Sequence, residues 1–226
     1  MSNIQEIVNI LERGQQPTRS ECSFFVIHVF SGGVDKDIIT KILRLFNNVG
    51  FNALQLSGFA ESMRKISKKV ICKKNIVDNC GTGGDAMHTF NTSTTSSLIA
   101  SCCEVSVAKH GNKSITSNSG SADLLSGVGI KINLSPEAVS NCIEKLNFGF
   151  MFAPLHHQAM KNVAASRKEI APNKTIFNML GPITNPANAQ IQLIGVFDIN
   201  TMQLVADSLM ELGTSKALVL NSRDGM

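Results

Sequence analysis

The chain has 226 residues, of which 43% are apolar and 17% charged, and its formal net charge is +4. That composition excludes a disordered or fibrous chain, and the mild positive charge suits an anionic ligand without demanding nucleic acid. No apolar run reaches about 18 residues, so no membrane span is expected, and the N-terminus is not that of a signal peptide.

In chain order, Ile4, Ile7, Val8 and Leu11 fall at helical spacing. Thr18-Arg19-Ser20-Glu21 is a capping box, predicting a second helix that ends at Ser31-Gly32-Gly33. A third helix is expected from about Lys36 to Asn47, with Ile38, Ile39, Ile42, Leu43 and Phe46 apolar. A fourth, capped by Asn52, should reach about Ser67. Residues 1–70 therefore read as a small N-terminal all-α domain.

After Lys74 the pattern changes to strand, loop, helix, repeated. Asn75 to Cys80 reads as a strand, and Leu98, Ile99 and Ala100 belong to a helix. Val105 to Ala108 reads as a short buried strand. Ser135-Pro136-Glu137 starts a helix with an N-cap and Pro at N1. Ile191 to Phe197 is strand-like, Met202 to Leu212 helical with Gly213 as its stop, and Ala217 to Leu220 strand-like. The fold class is α/β, with residues 71–226 forming a larger domain around a mainly parallel sheet.

The most informative stretch is Asp78-Asn79-Cys80-Gly81-Thr82-Gly83-Gly84-Asp85, with Asn91-Thr92-Ser93-Thr94 close behind it. Glycines let backbone N–H groups approach a phosphate, and the following helix N-terminus adds unpaired N–H groups and a positive dipole end. Ser and Thr hydroxyls can donate to phosphate oxygens or ligate a hard cation. Asp85 would oppose bare phosphate and suits a sugar hydroxyl, so the expected ligand is a phosphorylated sugar. The stretch matches neither the dinucleotide fingerprint nor the P-loop. A second strand leads into Lys109-His110-Gly111-Asn112-Lys113-Ser114 and then Ser117-Asn118-Ser119-Gly120-Ser121-Ala122-Asp123. Two such loops leaving neighbouring parallel strands share one rim of the sheet, where open α/β folds bind ligands.

These motifs, with APLHHQAMKNVAASR (153–167) and TIFNMLGPITNPA (175–187), make the chain similar to the anthranilate phosphoribosyltransferases over nearly its whole length. The resemblance implies a nucleoside phosphorylase/phosphoribosyltransferase-like fold and transfer of phosphoribosyl from phosphoribosyl pyrophosphate to anthranilate. It also implies Mg2+ as cofactor, a cytoplasmic location and a homodimer formed through the helical domain. By resemblance, Gly81, Gly84, Asp85, Thr89, Asn91, Thr92, Ser93 and Thr94 contact phosphoribosyl pyrophosphate. Lys109, His110, Gly111, Asn112, Lys113, Ser114, Ile115, Thr116, Ser117 and Ser121 wrap the rest of it. Ser93 matches the hydroxyl that ligates magnesium. Gly81, Asn112, His110, His157, Arg167 and Pro182 match the anthranilate pocket, where a guanidinium suits a carboxylate.

The chain departs from the family pattern in three places. The family continues beyond residue 226 with an Asp-Glu pair that holds magnesium, so a 226-residue chain is expected to be nearly inactive, with an open sheet edge and an uncovered apolar face. The stretch 168–174 carries one extra residue, and Lys174 stands where Arg is common. Asn47-Asn48-Val49-Gly50 replaces the usual turn. Two other function classes compete: a pyrimidine nucleoside phosphorylase-like enzyme, and a non-catalytic or nucleic-acid-binding relative. The basic run Arg64, Lys65, Lys68, Lys69, Lys73, Lys74 is the feature that would serve nucleic acid. No aromatic interleaving accompanies it, so a solvated helix end and linker is the plainer reading. The six cysteines show no C-x-x-C spacing and read as thiols in a reducing compartment, with Cys80, Cys102 and Cys103 filling core. Adjacent His156 and His157 would diverge on a helix, which argues against a metal pair.

Overall fold

The computed structural model describes residues 3–83, 90–114 and 119–222. Four helices come first: α1 (Ile4–Glu12), α2 (Arg19–Phe30), α3 (Lys36–Val49) and α4 (Ala53–Ile66). Their starts follow local chemistry. Thr18 and Glu21 close the expected capping box, and Asn52 forms a second one with Gln55. At the other end of α3, Gly50 takes φ +80°, a conformation that suits glycine and stops the helix.

The remainder alternates strand and helix: β1 (Val77–Asp78), α5 (Thr92–Cys102), β2 (Val107–Gly111), α6 (Ser121–Gly127), α7 (Pro136–Leu146), β3 (Phe148–Phe152) and α8 (Ala153–His156). Then follow α9 (Lys161–Ile170), β4 (Ile191–Gly195), α10 (Met202–Glu211) and β5 (Lys216–Leu220). Among the described residues, five strands form one parallel sheet in the order β3-β2-β1-β4-β5. The order reverses at β1, which places a topological switch point beyond its carboxyl end.

Three differences from the sequence reading matter. β1 is a two-residue ladder inside the expected 75–80 segment. The second strand begins at Val107 and runs to Gly111, so Lys109, His110 and Gly111 are strand residues. β3 had not been expected. Its Gly149 lets α7 lie close, since a Cβ there would come within 2.5 Å of Ile143 and 3.0 Å of Val139.

One hydrophobic cluster joins α1–α4 to α9, α10, β4 and the 176–183 segment, and so crosses the boundary expected near residue 70. Smaller clusters fill the space between the sheet and α7, and between β3 and α6. The basic run is partly built into this junction. Arg64 is buried, with Nε donating to Ile183 O at 2.8 Å and Nη1 to Asn188 Oδ1 at 3.2 Å. Lys74 Nζ donates to Glu144 O at 2.7 Å and Asn147 Oδ1 at 2.8 Å, placing its charge at the C-terminal end of the α7 dipole. Cys102 and Cys103 are exposed, contrary to expectation, because they end α5 on its outer side; Cys80 is half-buried. On β5, Leu218 is 59% exposed. No described helix is long and apolar enough to cross a membrane.

Candidate functional site at the switch point

The glycine turn presses against the end of β4. A Cβ on Gly81 would sit 2.9 Å from Gly195 O, a contact that holds only glycine without displacement. Thr82 N–H donates to the same carbonyl at 2.9 Å, and Phe197 N–H donates to Thr82 Oγ1 at 3.3 Å. Gly83 has φ +63°.

Asn79 ties this turn to the start of α5. Its Nδ2 donates to Ser93 O at 2.7 Å and to Ser96 Oγ at 3.1 Å, while its Oδ1 accepts Lys109 Nζ at 2.9 Å. Asn91 caps the helix by accepting Thr94 N–H at 3.3 Å. Thr92 and Ser93 stand exposed at the N-terminus, and Thr94 is buried with no partner for its hydroxyl among the described residues. Lys109 is buried beside the turn, its Nζ on Asn79, and burial pushes its ammonium pKa down.

The second rim loop leaves β2. Gly111 is packed so closely that a Cβ would collide with Ser121 Oγ and the Phe150 ring. Asn112 O accepts Ala122 N–H at 3.1 Å and Ser121 Oγ at 3.2 Å. The Asp123 carboxylate accepts the N–H groups of Ser114 and Gly120, each at 2.9 Å, and these bonds hold its pKa below the usual range. Lys113 lies exposed beside this loop. Gly84, Asp85, Thr89, Ile115, Thr116 and Ser117 fall outside the described residues.

The third component is the 181–188 segment. His110 Nδ1 lies 2.9 Å from Gly181 O, and His157 Nε2 lies 3.1 Å from Thr184 O. The two rings meet edge to face with centroids 5.1 Å apart. A carbonyl only accepts, so these partners assign the proton to His110 Nδ1 and His157 Nε2. Burial drives both imidazoles acidic, His110 to about 3 and His157 to about 4, so both are neutral near pH 7. The opposite nitrogens, His110 Nε2 and His157 Nδ1, then present bare lone pairs with no partner among the described residues. Pro182 is buried, its carbonyl accepting Gln192 Nε2 at 2.8 Å. Arg167, on α9, is half-buried, with no ion pair and no side-chain hydrogen bond among the described residues, the histidines included.

These imidazoles imply acid lability. Their folded pKa values lie below the unfolded value near 6.5, so their stabilisation is complete above that pH and declines as pH falls towards 3–4. By pH 5 the loss is about 2 kcal/mol per histidine, while protonation of Asp78, pushed up to about 6 by burial, restores about 1 kcal/mol. The melting midpoint is expected to fall between pH 7 and 5, less so in His157→Asn. Identical pH profiles for the two proteins would contradict this assignment.

Sequence reading gave Asp78, Asn79 and Asn185 no role of their own in the candidate site, although Asp78 and Asn79 stand in its most informative stretch. The available signal was a pair of polar residues at the end of an apolar strand, immediately before the glycine turn.

Residues 73–226 match the glycosyl transferase family, a/b domain. The anthranilate phosphoribosyltransferase of Rubrobacter xylanophilus is 41% identical over 223 residues, 99% of this chain and 65% of the relative. That of Methanosarcina mazei is 44% identical over 230 residues, 100% of this chain and 61% of the relative. The crystal structure of the Thermus thermophilus anthranilate phosphoribosyltransferase superposes with a TM-score of 0.92 at 34% identity, over 97% of this chain and 66% of that one. A Saccharomyces cerevisiae anthranilate phosphoribosyltransferase in complex with PRPP and Mg shares the fold at 23% identity, with a TM-score of 0.90 over 98% of this chain and 66% of that one. The chain thus spans 61–66% of the length of these relatives. With its α/β fold and its glycine turn at the switch point, the chain belongs to the glycosyl transferase family, whose a/b domain it matches from residue 73 onward.

Proposed function

We propose that the switch-point crevice binds phosphoribosyl pyrophosphate and anthranilate and serves phosphoribosyl transfer, giving N-(5-phosphoribosyl)anthranilate and pyrophosphate. The donor side comprises the glycine turn at Gly81, Gly84 and Asp85, Thr89, the α5 N-terminus at residues 91–94, and residues 109–117 with Ser121. The acceptor side comprises Gly81, His110, Asn112, His157, Arg167 and Pro182. The observation that carries the reading is the glycine turn packed on Gly195 and tied through Asn79 to the exposed N-terminus of α5 at the switch point.

In this reaction the amine nitrogen bonds to the anomeric carbon as the bond from that carbon to pyrophosphate breaks, the pyrophosphate leaving with the bonding pair, and the nitrogen then gives its proton to water. Negative charge grows on the departing pyrophosphate. The amides of the turn and of α5 suit it, with the buried Lys109 charge beneath them. Arg167 suits the carboxylate. Orientation of the two reactants supplies much of the remaining rate.

For magnesium the described residues offer the exposed Ser93 hydroxyl and no cluster of three or more His, Cys, Asp or Glu side chains. Ser93 is the described residue that would hold such an ion, as a single neutral ligand. When bound, that ion would neutralise charge on the leaving group. A homodimer through the N-terminal helices, where Ile27 and Ile38 are exposed, belongs to the same proposal.

The test is thermal unfolding with added ligand. Phosphoribosyl pyrophosphate with magnesium at 100 times its Kd adds about 2.7 kcal/mol, which for a chain of this size raises Tm by roughly 5–10 °C. Stabilisation by inorganic phosphate with a pyrimidine nucleoside, and not by the diphosphate, would instead identify a phosphorylase-like site.

A further inference from the structure

We propose that Asp78 is a positioning residue that sets the acceptor side of the crevice against its donor side; this rests on the reading of the crevice given above. Asp78 is fully buried at the end of β1, directly under the switch point. Its Oδ1 accepts the backbone N–H of His110 at 3.2 Å, and its Oδ2 accepts Asn185 Nδ2 at 2.7 Å. Asn185 Nδ2 also donates to Ala108 O at 2.8 Å, and its Oδ1 accepts Ala187 N–H at 2.8 Å. One carboxylate thus grips the base of the β2 loop and the base of the 181–188 segment, while its own chain runs on into the glycine turn.

The chemistry of the partners explains the residue type. Both are donors, and a carboxylate is the side chain that only accepts. An amide would turn its own N–H₂ towards one of them. Burying this carboxylate is costly; no ion pair lies within 4 Å among the described residues, and the nearby Lys109 charge and the donated hydrogen bonds offset only part of the cost. An apolar side chain would hold a central strand at lower cost, so strand packing alone does not account for Asp78. What it does provide is a fixed distance between His110, Gly181 and the glycine turn.

The test uses Asp78→Asn, Asn185→Ala, their double variant, and the remote core control Ile42→Val in α3. Anthranilate binding is read by its fluorescence, phosphoribosyl pyrophosphate binding by thermal shift, and local opening by amide hydrogen exchange. Asp78→Asn is expected to weaken anthranilate at least about tenfold and the diphosphate less than about threefold, since misplacement near one ångström is costly for alignment. Exchange should quicken in the segments around His110 and 181–188 and not in α1–α3. Asn185→Ala should reproduce part of this, and the double variant should be no worse than Asp78→Asn. Equal losses on both ligands that track Tm, as in Ile42→Val, would overturn the proposal, as would unchanged anthranilate binding. If Asp78→Asn fails to fold, Asn185→Ala alone decides by the same readouts. If the unmodified protein binds neither ligand, the functional reading falls; the positioning role then stands on local exchange and falls on uniform exchange.

Discussion

Phe59→Ala is expected to lower the unfolding free energy by about 3–5 kcal/mol, the usual range for removing a buried phenyl ring. Phe59 is fully buried on α4. Its ring meets Phe46 edge-on at 5.5 Å, Phe177 edge-on at 5.5 Å and Phe25 at 5.8 Å. These partners lie on α3, on the segment after α9 and on α2, so the ring joins the helical part of the chain to the part that carries the site. A domain of this size is stable by about 5–15 kcal/mol, so the loss is a large share of the whole. Denaturant unfolding measures it, and Phe59→Leu should recover more than half. A loss below about 1 kcal/mol would mean that the four rings do not form a shared core.

Arg167→Ala should weaken anthranilate about tenfold to a hundredfold, corresponding to the roughly 1.5–3 kcal/mol of a charge-assisted contact. The motivation is a half-buried guanidinium with no carboxylate partner among the described residues, its pKa pushed down by burial. Such a group is under-compensated until an anion arrives. Arg167→Lys should recover only part of the affinity because an ammonium lacks the planar fork. Binding of phosphoribosyl pyrophosphate should change little in either variant. Equal losses on both ligands would mean that Arg167 supports the packing of α9 on α3, and an unchanged anthranilate affinity would remove it from the site.

The helical part was readable because its signals are local. The Thr18–Glu21 and Asn52–Gln55 boxes, and Pro136 after Ser135, act within one turn and are independent of the rest of the fold. The sheet was less readable because its decisive contacts are distant in sequence. Lys109 and His110 look like loop residues until Asn79 and Gly181, 30 and 71 residues away, are seen to satisfy them. β3 is an apolar run interrupted by Gly149, and nothing before the structure showed that α7 required that glycine. The same difficulty applied to Asp78, whose partners His110 and Asn185 lie 32 and 107 residues away. Arg64 and Lys74 read as solvated charge because helix-end cations usually are; here carbonyls of neighbouring segments take them up. Cys102 and Cys103 were placed in the core on residue type alone, whereas the end of α5 is open to solvent. The glycine turn and the hydroxyl-rich start of α5 were legible as a candidate ligand site because their composition is itself the chemistry.

The most direct measurement of the central claim is a fluorescence titration of anthranilate into the protein, with and without saturating magnesium and phosphoribosyl pyrophosphate. A shared crevice predicts saturable binding at one site per chain, with an affinity that changes when the diphosphate is present and falls about tenfold or more in Arg167→Ala. Titrations that do not saturate, or that are identical in Arg167→Ala and indifferent to the diphosphate, would contradict it.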